Sequence, residues 1–133
     1  MDTRVAPFAA LVDLNTDLLL NCLEGLSDGE AQRRLPGGGN SVAFLAAHLV
    51  DTRHFLVSRL GRALENPMAP FLADVHGIED IRELPSLDAI RAAWLGVSGH
   101  LGSVLAALTP AELDWPNAHR FPLADSSRLG MIA

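Results

Sequence analysis

The chain has 133 residues, of which 49% are apolar and 20% charged, and it carries a net charge of −6. This is the length of one domain, with enough apolar residues for a core. The acidic balance excludes the basic footprint that nucleic acid demands, one cysteine excludes an internal disulfide, and no stretch of about 18 uncharged apolar residues is present to span a membrane. The start, MDTRVAPFAAL, has an acid at position 2 and no long apolar run, unlike a secretory signal. With the lone thiol of Cys22, this predicts a reduced, cytoplasmic setting.

Residues 5–26 place Phe8, Leu11, Val12, Leu18, Leu19, Cys22, Leu23 and Leu26 at helical spacing, which predicts an amphipathic first helix. Asn15 falls near the centre of that stripe. A buried amide needs partners, so Asn15 either bonds a crossing helix or offers a polar handle to an internal pocket. Ser27 and Glu30 have capping-box spacing and predict a short helix to about Leu35. The run 36-PGGG breaks it.

Asn40 or Ser41 caps the next helix and Gly61 ends it. At about 100° per residue, Val42, Leu45, Leu49, Leu56 and Leu60 share a narrow sector, the expected inner face. His48 lies roughly 90° from the centre of that sector, with Phe44 and Phe55 on the same flank. It reads as a border residue, either hydrogen-bonded to a neighbouring helix or serving as a metal ligand or general base in the interior. His54 falls on the far side with Ala47, Asp51 and Ser58, where solvent is expected.

Residues 62–85, with Pro67, Pro70, Gly77 and Pro85, predict a long crossover with one turn of helix. Ser86 caps a long helix over 87–108, with Leu87, Ile90, Trp94, Val97, Leu101, Val104 and Leu108 on one stripe. The run 109-TPAE is another capping box, with Pro at the first helical position. A last helix starts at 128-RLGMIA after Ser126 or Ser127. Nothing alternates with period two, so the fold is all-α, a helical bundle. The final apolar turn either docks on the rest of the protein or belongs to a longer helix, and we expect the latter.

No two of the histidines 48, 54, 76, 100 and 119 are three or four apart, so no helical metal pair is present. There is no G-x-S-x-G, and Ser41 is two turns from His48, too far for a nucleophile and its base.

The order of features resembles the DinB/YfiT-like superfamily of four-helix bundles. The stretch 11-LVDLNTDLLLNCLEGLSDGEAQRRLPGGGNSVAFLAAHL is similar to that family's opening. A helix with an inward Asn leads to a Ser-Asp-Gly-Glu turn, a Pro/Gly loop and a Ser-capped helix bearing a His-Leu pair, here His48-Leu49, with Ser41 seven residues earlier. The resemblance implies an up-down bundle of DinB-like type with a long crossover between its second and third long helices. It also implies a single domain over 1–133, C-terminally truncated, with the fourth helix incomplete.

In that family a divalent metal, often nickel or zinc, sits on three histidines. His48 matches the ligand on the second long helix. The other two form an H-x-x-x-H pair on the fourth, and the sequence ends before it. The resemblance therefore implies one ligand of three, with a nickel or zinc ion in the full-length protein or none in this chain. His100, His119, Asp51, Asp125 or a second chain are the substitutes available. It further implies a metal-dependent hydrolase or thiol transferase acting on a small molecule or thiol cofactor, with Asn15, Phe44 and Phe55 lining the pocket. The competing expectation is a non-catalytic bundle that binds an apolar ligand or pairs as a homodimer through an open groove, with neither nucleic acid nor membrane as partner.

Overall fold

The computed structural model describes residues 1–117 and 127–132. Its helices are α1 (Ala6–Leu23), α2 (Asp28–Gln32), α3 (Val42–Arg59), α4 (Ala69–Leu72), α5 (Leu87–Ala107), α6 (Pro110–Asp114) and α7 (Arg128–Ile132). Among the described residues there is no strand, only one isolated bridge between Pro116 and Ser127.

The sequence's punctuation becomes geometry. Ser27 and Thr109 both close complete capping boxes, with Glu30 and Glu112 returning the bond to the cap amide. Ser41 and Ser86 accept from the amides of Phe44 and Ala89 at the starts of α3 and α5. After α3, Gly61 takes φ +76°, a left-handed conformation that lets the Gly61 and Arg62 amides reach back to the carbonyls of Ser58 and Val57. The crossover is tied down at its far end, where the Leu87 amide donates to Asp28 Oδ1 at 2.7 Å. The 62–85 segment holds α4 and one 3-10 turn, Ile78–Asp80, as a long connection with little helix should.

The helix α5 is the hub. Its stripe Leu87, Ile90, Trp94, Val97, Leu101, Val104 and Leu108 is buried, together with Leu105. The faces of α1 and α3 both pack on it. Burial of side chains such as Ile90, Leu101 and Leu105 contributes about 1.5–3 kcal/mol each. The final turn docks: Leu129, Met131 and Ile132 pack against this core, and Arg128 lies 4.9 Å over the Trp115 ring.

The face that α3 turns to α5 differs from the expected one. Buried are Ala43, Ala46, Ala47, Val50, Arg53, His54 and Val57. Of the predicted inner sector, Leu60 is buried and Leu56 half-buried, but Val42, Leu45 and Leu49 are 41–46% exposed. The physical reason is size. Small residues on α3 let its backbone approach the large side chains of α5, and facing large with small fills the space between helices. The leucine sector of α3 is a second apolar face, and its Leu49 lines a groove with Leu18 and Leu19 of α1.

Among the described residues, no helix is long and apolar enough to cross a membrane.

Candidate functional site

The meeting point of α1, α3 and α5 is built around Arg53. Its Nη1 donates to Thr16 Oγ1 of α1 at 2.7 Å and to Ser98 Oγ of α5. Its Nη2 donates to the Val12 carbonyl at 3.0 Å. The guanidinium lies 3.5 Å from the centre of the Trp94 ring, and Trp94 Nε1 donates to the Thr16 carbonyl at 3.1 Å. Both hydroxyls are satisfied in turn, Thr16 donating to the Val12 carbonyl and Ser98 to the Trp94 carbonyl. The Arg53 residue is 8% exposed, yet among the described residues no carboxylate pairs with it. Burial pushes its pKa down to about 10, against the favourable field of Asp13, so the group remains a cation at neutral pH.

Above this cation lies a groove of about 500 Å³, lined by Asn15, Leu18, Leu19 and Cys22 of α1, Leu49, Thr52 and Arg53 of α3, and Trp94 of α5. That is the volume range of small-molecule sites. The apolar surface continues beyond it, since Leu11, Leu14, Leu18, Val42, Leu45 and Leu49 are each 41–52% exposed. A run of large exposed aliphatics on two neighbouring helices marks an interaction face.

The residues expected to share one pocket are divided. Asn15 is exposed on the wall of this groove, not buried in the stripe; Thr16 is the inward polar residue of α1. The ring of His48 is exposed, turned away from α5, and stacks on Phe44 with centroids 6.3 Å apart and planes 11° from parallel. Phe44 and His48 line a different depression of about 310 Å³ with Asp51 and His76. Phe55 is 40% exposed further along that flank, with the Arg59 guanidinium 6.0 Å from its ring. The common flank of Phe44, His48 and Phe55 is real, but it faces outward because α3 is rolled towards its small residues.

A divalent metal does not fit the side chains in view. Among the described residues, no group of three or more His, Cys, Asp and Glu stands close enough to hold one. Asp51 instead accepts from Asn66 Nδ2 at 2.7 Å, and His100 Nε2 lies 2.8 Å from the Arg62 carbonyl. His119 and Asp125 lie outside the described residues.

His54 is the histidine that sequence reasoning placed in solvent and the fold buries, at 5% exposure. Among the described residues, neither ring nitrogen has a partner within hydrogen-bond geometry. Burial lowers its pKa; the Leu64 backbone, outside hydrogen-bond geometry, and Asp51 pull the other way, and His100 adds to the lowering. The unfolded ring titrates near 6.5. Above that pH both states are neutral and His54 adds no pH dependence. As pH falls below it, the unfolded chain takes up a proton that the folded chain refuses, so stability drops until the folded ring also titrates. Urea unfolding from pH 7.5 to 5 should therefore show wild type losing stability faster than His54→Leu. Parallel curves would contradict this burial.

A helical bundle in which α1 and α3 both pack on α5, with a long connection between α3 and α5 and an open groove between α1 and α3, defines the class of protein. The chain belongs to the DinB superfamily, whose family model matches residues 11–132. No curated protein and no solved structure matches it.

Proposed function

We propose that this DinB-superfamily protein is a binding module whose ligand is a small molecule seated in the groove between α1 and α3. The carrying observation is the groove itself. Leu18, Leu19 and Leu49 supply apolar walls, and Trp94 an aromatic floor. Asn15, Thr52 and Arg53 are the few polar groups that would fix orientation. The metal-dependent hydrolysis or thiol transfer implied by the resemblance needs ligands beside His48 that the described residues do not bring together, and no step is derived through a metal.

Cys22 is the chain's one thiol, is free and exposed, and lies on the groove wall, which makes it a built-in reporter. A neutral apolar dye, N-phenyl-1-naphthylamine, should bind saturably at one site per chain and slow alkylation of Cys22 by iodoacetamide. Leu18→Glu, at a half-exposed position that the fold tolerates, should abolish both effects with the circular dichroism unchanged. Absence of saturable binding would overturn the reading. So would a homodimer by light scattering in which Cys22 is already protected without dye, since a second copy would then occupy this face.

A further inference from the structure

Resting on the groove as a ligand site, we propose that Arg53 is its polar anchor and that the ligand carries a carboxylate head on an apolar body. A guanidinium has five N–H groups. Three are spent, on Thr16 Oγ1, Ser98 Oγ and the Val12 carbonyl. The Nε–H and the second Nη2–H find no acceptor among the described residues, though the side chain is more than nine-tenths buried and lines the groove. Two N–H groups of one planar guanidinium are what a carboxylate takes in a bidentate contact.

Charge points the same way. A buried cation carries a desolvation cost unless a counter-charge offsets it. Stacking on Trp94 and three neutral acceptors offset part of that cost, and no carboxylate among the described residues pairs with it to supply the rest. Asp13, whose field Arg53 feels, does not line the groove; it borders a depression on the other side of Thr16 and Ser98, with Gly99 and Ser103. The groove walls contribute no acidic side chain. The chain's net charge of −6 is screened within about 8 Å at physiological salt, so it does not cancel attraction at contact range. A charged head beside Arg53 leaves the body of the ligand against Leu18, Leu49 and the Trp94 ring.

The test compares dodecanoate with dodecanol and methyl dodecanoate, below their aggregation limits, as displacers of N-phenyl-1-naphthylamine. Dodecanoate should displace the dye at a concentration about tenfold lower than either neutral analogue, a 1.4 kcal/mol preference. Arg53→Met should bring dodecanoate, dodecanol and methyl dodecanoate to equal potency. Because Arg53→Met can fail to fold, Asn15→Asp provides a second variant: it sets a negative charge on the exposed groove wall and should weaken dodecanoate several-fold more than dodecanol. Equal potency of acid and alcohol on wild type overturns the inference and leaves the groove standing. A preference that survives Arg53→Met, or an Asn15→Asp variant with undiminished carboxylate binding, also overturns it. Failure of the dye to bind at all removes the groove reading and this one with it.

Discussion

Trp94→Ala is expected to lower unfolding stability by about 3–5 kcal/mol, the range for removing a large buried aromatic. Trp94 is 3% exposed and joins all three long helices. Its ring carries the Arg53 guanidinium and its Nε1 donates to α1. Truncation opens a cavity in the middle of the core and strips Arg53 of the surface that shields its charge. Trp94→Phe keeps a ring under the guanidinium but loses the bond to the Thr16 carbonyl, so it should cost roughly 1–2 kcal/mol. Urea titration of both variants reads the difference. For a domain at the lower end of the usual range of about 5–15 kcal/mol, a loss of that size brings the alanine variant close to unfolding at ambient temperature. A cost below about 1 kcal/mol for Trp94→Ala would mean that α1 is not held to α5 through this residue.

Trp94 also shows what was readable in the sequence. The α5 stripe was legible because that helix has one apolar face made of large residues, and a projection of period 3.6 locates it without ambiguity. The caps were legible because Ser27, Ser41, Ser86 and Thr109 each answer a local demand of the backbone. The boundaries of α3 and α5 follow from them within a residue or two.

The roll of α3 was not legible. This helix has two apolar faces, one of leucines and one of alanine and valine, and periodicity weights the bulkier. Which face meets α5 is decided by how closely two backbones approach, a property of the pair of helices and absent from either alone. The error then carried through to the candidate site. The expected roll of α3 puts His48, Phe44 and Phe55 on the border of the inner face and His54 in solvent, whereas the fold leaves His48 exposed and buries His54. Arg53 passed unnoticed because a buried arginine without an acid partner is improbable on composition grounds. One signal was available: Thr16, Arg53 and Ser98 are polar residues within otherwise apolar faces of three different helices, which suggests a shared network.

The roll of α3 can be measured by a pair of substitutions whose ranking reverses between the two placements. Ala47 is fully buried in the core, whereas Leu45 is 46% exposed. Ala47→Leu adds three carbons where the interface has no space, and overpacking of that kind costs about 1–3 kcal/mol or more. Leu45→Ala removes three carbons from a surface half open to water and should stay within about 1 kcal/mol of wild type. With the leucines turned inward, the order would be the opposite: Leu45→Ala would leave a core cavity costing about 2–5 kcal/mol and Ala47→Leu would be a tolerated surface change. Urea midpoints of the two variants therefore decide between the placements without a further structure. The same comparison bears on function. If Leu45→Ala proves the costly one, the open apolar face on α3 disappears, and Arg53 loses the groove that gives its unspent donors something to meet.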